Sequence, residues 1–138
     1  MSLREVPLDS VPDVHHVPAG ERQLRLDSVE VKPHKNNPEN SFVMLRLSVV
    51  DDPDAKPIVS NIFFPTTDDD DPKAYCKIRQ LKTFRDAWNL SVEKSSPTEF
   101  ANALQGKIGE TAWANLTEKD DPQYGMGNEV RSWVPSRR

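Results

Sequence analysis

One cysteine, Cys76, is the only thiol in this chain of 138 residues. That excludes an internal disulfide and any zinc site built from several cysteines. Beside Tyr75 on a helical stretch, it reads as a small, half-buried side chain. No apolar run reaches the roughly 18 residues that cross a bilayer, and no signal peptide opens the sequence. The expectation is a soluble, cytoplasmic protein that is not exported and has no membrane partner. Motifs of catalysis are missing as well. There is no GxxxxGK(S/T), no HExxH, no GxSxG and no cysteine–histidine nucleophile arrangement. An enzyme is therefore not expected, and no cofactor or metal is called for. His15 and His16 are adjacent but have no third ligand, a weak basis for a metal site.

An excess of positive charge is lacking too: the formal net charge is −4. Its distribution carries more information than its sum. Residues 51–72 hold seven aspartates and one lysine, a local balance of −6. Residues 73–94 hold six Lys or Arg against two acids, a balance of +4. Residues 22–46 carry five Lys or Arg against three acids. Charge segregated in this way is compatible with an anionic partner despite the acidic total.

What is present is one clearly announced helix, from Asp71 to Leu90. Asp71 can cap it, and Pro72 suits its first position, where an N–H would be unpaired anyway. Tyr75, Ile78, Leu81, Phe84 and Trp88 recur at helical spacing, with Ala74 and Ala87 on the same side. Lys73, Lys77, Arg79, Lys82 and Arg85 occupy the other. Asp68 to Asp71 read as a solvated loop whose charge favours the start of this helix. A second carboxylate cluster, which a metal would want, is not evident.

The rest reads as strands. Strand one runs from about Glu21 to Lys32. Its apolar row slips phase between Leu24–Leu26 and Val29–Val31, which is what a bulge or sharp bend produces. Strand two, Ser41 to Val50, has Val43, Leu45, Leu47 and Val49 inward, with Phe42, Met44, Arg46, Ser48 and Val50 outward. Strand three, Ile58 to Phe64, turns Ile58, Ile62 and Phe64 one way, and Val59, Asn61 and Phe63 the other. Ser91 to Ala103 is irregular, with a short helical turn at Thr98 to Leu104. Strand four runs from Lys107 to about Leu116, and a long loop covers Glu118 to Gly127. Strand five is Asn128 to Val134. Residues 1–19, with Pro7, Pro12 and Pro18, form an arm, residues 20–135 the domain, and residues 136–138 a tail.

Three strands, a helix and two strands are the order of the all-β oligonucleotide/oligosaccharide-binding fold (OB-fold), a five-stranded Greek-key barrel with one helix between strands three and four. Local wording extends the likeness. Val17-Pro18-Ala19-Gly20 leads into a strand ending Val29-Glu30-Val31-Lys32-Pro33. Later come Leu104-Gln105-Gly106-Lys107-Ile108-Gly109 and a terminal Gly127-Asn128-Glu129-Val130 strand. Over residues 17 to 135 the chain resembles the single-stranded DNA-binding proteins of tailed bacteriophages, and a related phage family of the same layout. The resemblance implies coating of single strands in phage replication or recombination, in the host cytoplasm. It also implies replication or recombination proteins as partners and leaves homo-oligomerisation open. The closing Ser136-Arg137-Arg138 departs from the acidic, partner-recruiting tail common in this class.

Single strands are held by a basic groove that follows phosphates and by rings that stack on bases. The candidates on the outer rows are Arg25, Lys32, Phe42, Arg46, Asn61, Phe63, Trp113, Arg131 and Trp133. His34 and Lys35 come from the loop between strands one and two, and Lys119 and Tyr124 from that between strands four and five. Phe42 has a competing role as a staple of the strand entry. Trp113 and Trp133 have one in packing on each other or on the helix. Phe64, Phe84 and Trp88 are assigned to the core. The rival reading is an OB-fold protein-binding or structural adaptor of a virion or replication complex.

Overall fold

The structure, a computed structural model, describes residues 4–10, 15–33, 41–66, 69–123 and 125–135. The expected contacts His34, Lys35 and Tyr124 and the terminal tail lie outside them.

A strand whose apolar row changes phase has to bend, and β1 (Gly20–Pro33) does so. Its pairing with β2 (Ser41–Val49) shifts between Leu26 and Ser28, leaving Asp27 as the extra residue of a bulge. β1 pairs with β2 on both sides of the bulge, from Leu24 to Pro33, and its first residues, Gly20 to Arg25, pair with β4 (Thr111–Asp121). β3 (Ile58–Ile62) adds to β2, and β5 (Gly125–Trp133) adds to β4. All neighbours are antiparallel, in the order β3-β2-β1-β4-β5. A fourth strand returning beside the first is a Greek key.

β3 and β5 both run parallel to β1 and approach each other, yet no ladder joins them. The five-stranded sheet is therefore open, which corrects the expected closed barrel. β3 is only five residues long and its ladder pairs all go to β2. Side chains of α1 (Asp71–Trp88) stand at the seam instead, Leu81 and Phe84 lying between Ile62 and Trp133.

A second helix, α2 (Pro97–Gln105), replaces the expected short turn. Ser96 caps it, accepting from the Glu99 N–H at 3.3 Å, and Pro97 stands at its start. Proline there pre-sets the helical backbone instead of breaking it. Phe100, Ala101 and Leu104 are buried, and the helix packs on β1 and β2.

The core lies on one face of the sheet. Val43, Leu45, Leu47 and Val49 are buried as the alternation predicts, with Leu24, Leu26, Val29, Ile58, Ala112, Ala114 and Leu116. Phe64, Phe84 and Trp88 join them, also as predicted. Phe84 stands 6.4 Å from Trp88 and 6.2 Å from Phe100, between ring centroids. The apolar stripe of α1 is buried only in its second half. Tyr75 is 59% exposed and Ile78 47%, because the helix meets the sheet at β4 and β5 through its later turns.

The start of α1 is built by its acidic leader. The cap is Asp70, one residue before the expected Asp71, and its Oδ1 accepts from the Lys73 N–H at 2.8 Å. Asp69 accepts from Lys77 Nζ and from the Thr66 N–H, both at 2.9 Å. The Lys77 hydrogen bond, then that of Thr66, holds the Asp69 carboxyl below the ordinary 3.8.

At the other end of the sheet, β4 begins at Thr111, not Lys107, and the expected loop from Glu118 to Gly127 is mostly ladder. Pairing continues from Glu118 opposite Asn128 to Asp121 opposite Gly125, which turns at φ 78°. These rungs are polar and exposed, so no apolar row marked them. The arm's last residues are strapped down. Val17 is 2% exposed, and its N–H and C=O are both bonded by the Asn128 amide at 2.8 Å. His15 Nε2 lies 2.7 Å from Asp52, and His16 Nε2 lies 2.8 Å from Glu118. No helix among the described residues is long and apolar enough to cross a membrane.

Trp88→Ala is expected to destabilise the protein by about 3–5 kcal/mol in urea unfolding, as truncated core aromatics do. Wild-type stability in that variant would mean that α1 does not plug the sheet. Asp69 supplies a pH test. Its folded pKa lies below the unfolded 3.8, so its stabilisation is complete above 3.8 and is lost as pH falls through the lower folded value. The urea midpoint of Asp69→Asn should sit below that of wild type at neutral pH, and the gap should close on acidification below 3.8.

Candidate nucleic-acid interface

The face of β1-β2-β3 turned away from the core gathers six of the ten expected contacts that lie within the described residues: Arg25, Lys32, Phe42, Arg46, Asn61 and Phe63. Register places Lys32 opposite Phe42, Met44 opposite Asn61, and Arg46 opposite Val59. Phe63 follows β3, and its ring lies 5.4 Å from that of Phe42, tilted by 39°. Phe63 is 47% exposed and Phe42 half-buried. Two rings side by side on an outer face, with Lys32 opposite Phe42, present flat apolar surface beside a cation.

The cations fall into two groups. Arg25 Nε is 3.0 Å from Asp27, Lys32 Nζ 3.9 Å from Glu30, and Lys119 Nζ 3.4 Å from Glu129. Arg46, Arg79 and Arg131 have no carboxylate within 4.0 Å among the described residues. An arginine without an acid partner keeps its full charge and its five donors for an incoming anion.

Arg79 and Arg131 belong to a groove of about 450 Å3 along the β3–β5 seam. β3 forms one wall with Ser60 to Phe63, α1 another with Arg79, Gln80 and Thr83, and β5 a third with Val130 to Trp133. Phe63 and Asn61 are shared by this groove and the outer face. The sequence offered no sign of Arg79 beyond the general basic side of the helix, because which turn of α1 reaches the seam depends on how the helix docks.

Trp133 does not stand on the outer row. Pairing of β4 and β5 shifts between Asn115 and Leu116, so that Ser132 faces Asn115 and Val130 faces Leu116. Arg131 is the extra residue, and the bulge turns both Val130 and Trp133 inward. Trp133 packs 5.4 Å from Phe84 and 5.5 Å from Trp88. The signal was available: Val130 and Trp133 are three apart, the same phase slip seen in β1. Trp113 faces Gln23 on the outer side of β4 and borders a separate pocket with Asn89 and Lys107, away from the phenylalanine pair. Lys119 lies on the exposed β4–β5 hairpin.

Compared with protein-family models and with curated proteins, the chain gives no match.

The phenylalanine pair makes a direct prediction. A double-mutant cycle of Phe42→Ala and Phe63→Ala should show a coupling of about 0.5–1.5 kcal/mol in unfolding free energy. Additive losses would mean that the rings do not meet in solution.

Proposed function

We propose that this protein binds single-stranded DNA without reading its sequence, coating strands in phage replication or recombination. One observation carries the reading: the adjacent Phe42 and Phe63 rings on the outer sheet face, with Arg46, which has no carboxylate within 4.0 Å among the described residues, on the row of Phe42. Aromatic faces accept any base, and a guanidinium accepts any phosphate, so such a surface is indifferent to sequence. Duplex DNA hides its base faces and would use only the charge.

The fold proposed for this surface is the OB class, with the seam between β3 and β5 left open. The strand order supports it, since β3-β2-β1-β4-β5 is what remains when a five-stranded Greek-key barrel is unzipped at one junction. The phage assignment rests on the local wording of residues 17 to 135. The net charge of −4 is no obstacle, because Asp52, Asp69 and Asp70, three of the seven aspartates of residues 51–72, bond the chain's own groups.

Fluorescence titration with poly-dT at several salt concentrations tests the reading. Log affinity should fall linearly with log salt, with a slope of about −0.7 per phosphate contacted. Phe63→Ala should weaken binding by about 1–3 kcal/mol with its fold intact. A folded protein that ignores poly-dT at low salt would be the protein-binding adaptor instead.

A further inference from the structure

The geometry points to a second nucleotide site beside the stacking platform: the groove at the β3–β5 seam takes one nucleotide of the bound strand, its phosphate between Arg79 and Arg131. This rests on the reading of the outer sheet face as a single-strand surface.

The groove and the platform share one residue. Phe63 pairs with Phe42 on the outer face and also stands at the rim of the groove. A strand stacked on the two rings has its next nucleotide at the seam. At about 450 Å3 the groove lies within the usual range for small-ligand pockets. Its deeper wall is apolar, with Leu81 and Phe84 buried and Trp133 partly so, and this suits the flat face of a base.

Both arginines are exposed and project from different elements, one from α1 and one from the bulge in β5. Neither has a carboxylate within 4.0 Å among the described residues, whereas the neighbouring β5 acid, Glu129, is engaged by Lys119. Arg79 is also held over the Tyr75 ring, 5.7 Å from its centroid, a contact that leaves its donors available. Two unpaired guanidiniums bordering a half-apolar groove are an arrangement for an anion attached to a ring. The seam is open because β3 and β5 do not pair, so the gap in the sheet is what creates the site. DNA would then leave the sheet past β3 and against α1.

Salt-dependent titration with oligo-dT of about 16 nucleotides, the upper site size for one such module, separates the possibilities. The variants are Arg79→Gln, Arg131→Gln and, as a control, Lys82→Gln, which lies on the same helix but borders a different pocket with Val92 and Phe100. Arg79→Gln and Arg131→Gln should each reduce the salt slope, and the double variant should reduce it by about 0.7, the share of the one phosphate they hold on a single strand. Lys82→Gln should leave it unchanged. Equal effects of all three would show diffuse attraction to a basic helix and overturn the site. So would unchanged slopes for Arg79→Gln and Arg131→Gln in a protein whose binding is still lost in Phe63→Ala; the sheet-face reading would then survive alone. No binding of oligo-dT by wild type would remove both.

Discussion

The bulge at Asp27 is the constraint on which the rest of the sheet depends. β1 has to serve β4 with its first residues and β2 with its later ones, and a straight strand cannot follow both as they diverge. The extra residue bends it and re-phases its inward row, so that Leu26 and Val29 both reach the core. Without the slip, Val29 would face solvent, since a one-residue shift moves a side chain to the opposite face. The backbone at the bend is not left unsatisfied. The Leu26 N–H donates to Glu110 C=O at 3.0 Å, and Leu26 C=O accepts from Gly109 N–H at 2.8 Å. Gly109 adopts φ 93°, which suits glycine in this turn. The entry to β4 is thus built directly on the bend in β1.

A second bulge, at Arg131, performs the complementary task at the sheet's far edge. It rotates Trp133 onto Phe84 and Trp88 and leaves Arg131 pointing out beside the seam. One inserted residue therefore connects stability to the candidate site. The same inward turn that completes the aromatic cluster supplies the groove with its apolar wall and one of its two cations. α1 does likewise from the other side, with Leu81 and Phe84 below and Arg79 above.

Charge pairing sorts the surface more finely than charge counting. Arg25, Lys32 and Lys119 stand beside acids of the chain, and exposed pairs of this kind contribute little to stability. Their main consequence is that they present less net charge to a partner. Among the described residues no carboxylate lies within 4.0 Å of Arg46, Arg79 or Arg131, and the last two border the groove. Meanwhile three aspartates of the most acidic stretch bond groups of the chain itself. Asp69 and Asp70 fix the start of α1, and Asp52 meets His15 of the arm.

The strands with one buried face were legible in the sequence because alternation records burial. Val43 to Val49 and Ile58 to Phe64 could be assigned to faces residue by residue, and the slip at Asp27 announced its bend. Phe42, Arg46, Asn61 and Phe63 could be placed on one surface for the same reason. The exposed β4–β5 extension could not be read, since polar rungs carry no burial signal. α2 was legible only in part, as a helical turn at Thr98 to Leu104; the helix begins at Pro97, capped by Ser96, and ends at Gln105. What the sequence by itself determined was therefore the set of inward rows and the main helix, which follow from local periodicity. Only the tertiary structure decided that the sheet stays open between β3 and β5, that Trp133 turns inward, and that Arg79 and Arg131 line one groove. These depend on how separate elements dock, and docking is set by the packing of α1 against β4 and β5, contacts that no local period records.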